Sequence, residues 1–139
     1  MKLRAALAGL LVIAALSTAG AQTLPGPPLV GVALNSSASY MTPVAVNISN
    51  SGNNTVIGSA TGKVIRVYRI VLVAASTVTV TVQDGSSTAL TGAMTLSAGV
   101  PLTLDFSSQP WFVTSSGNAF ILNLGSSVQV SGAAYYQQT

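Results

Sequence analysis

The chain has 139 residues, with five Lys+Arg, two Asp+Glu, no His and no Cys. Charged residues make up 5% of it, against roughly 25% in an ordinary soluble domain. Without His or Cys there is no Cys/His zinc site, haem ligand, thiol nucleophile, Ser-His-Asp triad or disulfide.

Residues 1–21 read as an export leader. Lys2 and Arg4 form a basic start, Ala5 to Leu16 an apolar stretch shorter than the roughly 20 residues of a membrane span, and Ala19-Gly20-Ala21 a small-residue cleavage site. Cutting after Ala21 leaves roughly 118 residues, one domain by size. It also removes two basic residues. Lys63, Arg66 and Arg69 then face Asp84 and Asp105, a balance of about +1 that carries no footprint for nucleic acid. The leader implies a secreted, periplasmic or cell-surface location, with no membrane segment once it is cut.

Residues 22–42 read as an arm or linker. Pro25, Pro27 and Pro28 block helix and ladder hydrogen bonds, and Leu29 to Leu34 is apolar enough to form a strand or pack on a neighbour.

From residue 43 to 139 the pattern is all-β. Val44, Val46 and Ile48 alternate with Ala45 and Asn47. Ser49 to Asn54 reads as a turn and Thr55 to Gly58 as a short strand. Lys63 to Ala75 is the longest β-rich run. Its first half sets Ile65 and Val67 against Arg66 and Tyr68; its second half is apolar on both faces, which predicts burial on both sides. Val78, Val80 and Val82 alternate strictly with Thr77, Thr79, Thr81 and Gln83, the cleanest period of two in the chain.

Asp84-Gly85 is a tight-turn pair, with Asp favoured by bonds to its own backbone. Leu90, Met94 and Leu96 lie in a small-residue segment. Val100 to Phe106 predicts a strand with Leu102, Leu104 and Phe106 on one face. Pro110 to Val113 predicts a short aromatic strand, and Ala119 to Leu124 another with Phe120, Leu122 and Leu124 together. In Val128 to Gln137, Val128 and Val130 share the phase of Tyr136, and Gln129 and Ser131 that of Tyr135. Eight or nine short strands with regular turns predict an antiparallel β-sandwich of jelly-roll type.

Asp84 and Asp105 are the only carboxylate side chains. A glycosidase-like pair would need both in one cleft. Asp84 reads instead as a turn residue, and Asp105 as an ion-pair partner for Arg66 or Arg69. No catalytic residue, cofactor or metal is therefore assigned, and no calcium-loop pattern occurs. The expected ligand or partner contacts are the aromatics Trp111, Phe112, Tyr135 and Tyr136, which could also stack on a sugar.

With so few charges, the wet faces of the strands must be Ser, Thr, Asn and Gln. Edge strands lack the Lys and Glu that ordinarily stop pairing between chains, and burying such surfaces carries little charge-desolvation penalty. Both favour association of protein subunits into a homo-oligomer.

The stretches VYRIVLVAA, QDGSSTALTGAMTL, LDFSSQPWFVTSSGNAFILNL and VQVSGAAYYQQ, between Val64 and Gln138, resemble a family of small tailed-phage and prophage proteins, virion-associated or structural. The resemblance implies a β-sandwich that binds other protein subunits, and it brings no catalytic residues. The leader departs from that pattern, because virion subunits assemble without export. The expected function is that of a non-catalytic, exported structural or assembly protein. The alternatives are a virion location and a carbohydrate-binding or adhesin-type module using the aromatics.

Overall fold

Apolar side chains at every second position can share one face only if the backbone is extended, and extended backbone pairs through its own amides. The structure, a computed structural model, describes residues 40–139, and their strands follow that rule. Ten strand segments form: β1 (Thr42–Ile48), β2 (Gly52–Ile57), β3 (Ile65–Ala74), β4 (Val78–Asp84), β5 (Thr88–Ala89), β6 (Met94–Leu96), β7 (Leu102–Leu104), β8 (Phe112–Val113), β9 (Phe120–Leu124) and β10 (Val130–Gln138). No helix occurs among the described residues. The expected leader, and the expected arm up to Ser39, lie outside them.

The segments make two antiparallel five-stranded sheets. The first runs β1-β10-β3, and β7 and β8 then lie end to end along β3, opposite Ile70–Leu72 and Arg66–Val67 respectively. The second runs β2-β9-β4, with β6 opposite Val78–Val80 and β5 opposite Gln83–Asp84. When each split edge counts as one strand, the order β1-β10-β3-β7 packed on β2-β9-β4-β5 is the eight-strand jelly roll.

The core lies between the sheets. Val46, Ile65, Val67, Ile70, Leu72, Ala74, Val130 and Ala134 enter from the first sheet; Ile57, Val78, Val80, Val82, Leu96, Phe120, Leu122 and Leu124 enter from the second. The alternation expected for β1, β4, β9 and β10 is kept in each case.

Three segments differ from expectation. In β3, Arg69 faces Tyr135 but Val67 faces Tyr136, so Tyr68 is an extra residue in the ladder. This bulge reverses the phase: Ile65 and Val67 point inward before it, Ile70, Leu72 and Ala74 after it. Val71 and Val73 are consequently half-buried on the outside rather than enclosed on both sides. In the predicted turn at Ser49 to Asn54, β2 already begins at Gly52, and the buried Asn54 side chain closes the turn by donating to the Asn50 and Gly52 carbonyls at 2.7 and 2.9 Å. In the predicted strand Val100 to Phe106, only Leu102–Leu104 pair, and Phe106 turns outward.

Gly132 sits mid-strand in β10, between Val46 of β1 and Leu72 of β3. A Cβ at this point would overlap the backbone carbonyl oxygen of Val71. Only glycine lets these strands approach as they do.

Candidate functional site: an aromatic sheet face

The two outer faces of the sandwich differ in chemistry. On the second sheet the outward positions carry Asn53, Thr55, Thr79, Thr81, Gln83 and Asn123 around a covered Ile121. Asn123 Nδ2 donates to Asn53 Oδ1 at 2.5 Å, and Asn53 Nδ2 to the Ser86 carbonyl at 2.9 Å. On the first sheet the outward positions of β3, β8 and the end of β10 carry Arg66, Arg69, Val71, Val73, Val113 and Tyr135, with Ala45, Asn47 and Ser131 towards β1, joined by Trp111 and Phe106 from the loops beside β7 and β8.

Asp105 organises this second group. It follows β7 immediately, and its Oδ1 accepts the Phe106 backbone N–H at 3.0 Å and lies 3.1 Å from Arg69 Nε. Its carbonyl accepts the Trp111 indole N–H at 2.7 Å. The Arg69 guanidinium stands over two rings, 5.3 Å from the Phe106 centroid and 5.5 Å from that of Tyr135, a spacing at which cation and ring quadrupole attract. The same two rings meet edge to face at 5.3 Å. The bulge at Tyr68 makes this possible, because it keeps Arg69 on the outer face opposite Tyr135.

The result is a rigid but open patch. Trp111 is 48% exposed, Phe106 49% and Val113 43%. The Asp105 side chain is 76% exposed, so its ion pair with Arg69 contributes orientation more than stability.

The four expected contact residues divide between the two sides of the sheet. Trp111 and Tyr135 belong to the outer patch. Phe112 and Tyr136 do not: both pack against the core, and the Phe112 ring lies 5.8 Å from that of buried Phe120. The division follows from the period of two, since neighbours in a strand point to opposite faces. Phe106 and Tyr68 were not among the expected contacts. Tyr68 donates from its hydroxyl to Gln137 Oε1 at 3.3 Å. Phe106 could be found from sequence only by seeing that Asp105 would bond the next N–H and end the strand. The expected ion pair of Asp105 is present, with Arg69. Arg66 instead donates to the Thr139 hydroxyl.

Asp84 occupies a different environment. It ends β4 with its side chain inward, 6% exposed. Gly85, at φ 65°, makes the hairpin turn to β5, as the Asp-Gly pair predicts. The carboxylate, however, reaches another loop and not its own backbone: Oδ2 accepts the Ser115 N–H at 2.9 Å and the Ser115 hydroxyl at 2.6 Å. Burial works against the charge, but the Ser115 side chain and backbone, with the Asn118 side chain, outweigh it and hold the carboxyl below its ordinary range.

The two aspartates thus belong to different sheets, one facing the interior and one on an outer face. Each fixes a loop. Among the described residues no three His, Cys, Asp or Glu side chains gather where a metal could sit. Nothing matches the chain among known protein families, curated proteins or solved structures.

Proposed function

We propose that the chain is a non-catalytic β-sandwich subunit that works by protein–protein assembly, as an exported surface protein or a virion-associated structural protein. The observation that carries this reading is the contrast between the two outer faces. One is mainly Asn, Thr and Gln, with Asn53 and Asn123 bonded to each other. The other offers Trp111 and Phe106 to solvent beside Arg69, whose charge is paired with Asp105, and Val113 opposite Arg66. Aromatic residues and Arg are the types enriched at the centres of protein interfaces. Pairing of Arg69 with Asp105 lowers the desolvation penalty of covering that part of the face.

Carbohydrate binding is the second reading, favoured by the exposed rings of Trp111 and Tyr135. Sugar recognition also needs polar groups free to orient hydroxyls. The Trp111 Nε1 is engaged by the Asp105 carbonyl and the Arg69 guanidinium is ion-paired with the Asp105 carboxylate, which weighs towards a protein partner.

Light scattering on the purified chain tests the proposal. The expected mass is a multiple of one chain, reduced in Trp111→Ala/Phe106→Ala. A strict monomer at high concentration, with glycans shifting the Trp111 emission, would favour the second reading instead.

A further inference from the structure

A β-sandwich has four sheet edges, and each is a row of unpaired amides that can recruit another chain. Three are interrupted here. β7 and β8 share one edge as segments of three and two residues. β5 and β6 share another, likewise two and three residues long. β2 slips register between Thr55 and Ile57. β1 is different: its seven residues pair with β10 from Thr42 to Ile48 without a slip. No charged residue occurs from Tyr40 to Gly62, so neither strand β1 nor the turn after it carries the usual electrostatic guard.

The groups of β1 that bond no other strand among the described residues follow from the ladder. The Ala75 N–H donates to the Gln129 carbonyl at 2.9 Å. This continues the series in which odd-numbered residues of β10 bond β3, at Ser131 with Val73 and Ala133 with Val71. Even-numbered residues of β10 therefore bond β1, at Val130, Gly132, Ala134 and Tyr136. Their partners are Ile48, Val46, Val44 and Thr42. Pro43, which has no N–H to give, falls between them, as it must. The amides of Ala45 and Asn47, and the carbonyls of Pro43, Ala45 and Asn47, point away from the sheet.

We infer that β1 pairs antiparallel with β1 of a second copy of this chain, about a two-fold axis at Ala45. This deepens the assembly reading and rests on it. In that register the Ala45 residues of the two copies exchange both of their hydrogen bonds. At each end the Asn47 N–H donates to the Pro43 carbonyl opposite. The missing N–H of Pro43 leaves only the Asn47 carbonyl to water. On the inner face Val44 meets Val46 of the second copy. On the outer face Ala45 meets its equivalent and Pro43 meets Asn47. No charge is opposed among the paired residues, so the edge is complementary to itself, as an isologous contact requires.

The absence of cysteine allows a direct test on the full chain. Ala45→Cys places thiols on opposed residues whose Cα atoms would be about 5.5 Å apart, within disulfide range. It is expected to cross-link into covalent dimers on mild oxidation, whereas Thr79→Cys on the polar face of the second sheet stays uncross-linked. Ala45→Pro removes an edge N–H without touching the bonds to β10, and is expected to halve the mass seen by sedimentation while the β circular-dichroism signal is kept. If the wild type is a multimer but Ala45→Cys does not cross-link and Ala45→Pro keeps its mass, edge pairing is wrong and assembly by another surface stands. A wild-type monomer at all concentrations overturns both.

Discussion

Asp84 and Ser115 lie 31 residues apart, yet the carboxylate of one takes both the backbone and the hydroxyl hydrogen of the other. The contact ties the end of β4, in the second sheet, to the loop between β8 and β9. It is the only buried carboxylate among the described residues, and its charge is kept by the bonds it accepts.

That arrangement has a pH signature. The folded carboxyl lies below its ordinary value, so the folded state binds its proton less readily than the unfolded chain. Its stabilising contribution is complete above the unfolded value of about 3.9 and is lost as pH falls through the folded value. Thermal melts at descending pH should show the wild type losing stability in this acid window. Asp84→Asn should be less stable by about 1–3 kcal/mol at neutral pH and should show a much smaller acid slope. An unchanged slope in Asp84→Asn would place the acid response elsewhere.

Gly132→Ala should be poorly tolerated. The added methyl meets a backbone carbonyl, which cannot rotate aside as a side chain can. A loss of about 1–3 kcal/mol is expected from overpacking, read as a lower urea midpoint. Gly58→Ala, where nothing lies within 4 Å of the new methyl, is the control and should shift the midpoint little.

Trp111 is the sole tryptophan, so its fluorescence reports one site. Emission from the monomer should be that of a solvated indole and readily quenched by a soluble quencher. Assembly through the patch should blue-shift it. Trp111→Ala should change folding stability by about 1 kcal/mol or less, while weakening association. A buried-type spectrum in the monomer would contradict the exposure described above.

Phe112 and Phe120 provide the opposite case. Phe120→Ala empties a fully buried position in β9 and should lower stability by about 3–5 kcal/mol. Phe112→Ala should also destabilise, by less, because its ring is only half-buried. Chemical denaturation of both variants beside Trp111→Ala would show that adjacent aromatics at 111 and 112 serve different sides of the sheet.

Asp105→Ala should leave stability within about 1 kcal/mol, as expected for an exposed ion pair, but should loosen Arg69 and the loop that carries Phe106 and Trp111. Higher accessibility of Trp111 to a charged quencher, with an unchanged melting temperature, is the expected result.

Much of this architecture was readable in the residue pattern. Val78, Val80 and Val82 must lie on one face because a strand repeats every second residue, and burial of that face is the main term that folding gains. The same rule placed Phe120, Leu122 and Leu124 together and put Tyr136 in phase with Val130. Near-absence of ionisable groups fixed in advance the kind of surface the strands could show. Tertiary structure decided what local pattern cannot hold: where the ladder slips, and which distant groups meet. One extra residue at Tyr68 turned Arg69 outward to the rings of Tyr135 and Phe106, and no period within β3 foretells it, because a bulge is a property of two strands in register. Likewise Asp84 carries the sequence signature of a turn, which it makes. That its carboxylate is buried against Ser115 depends on two sheets closing over one core, and so on contacts between residues far apart in the chain.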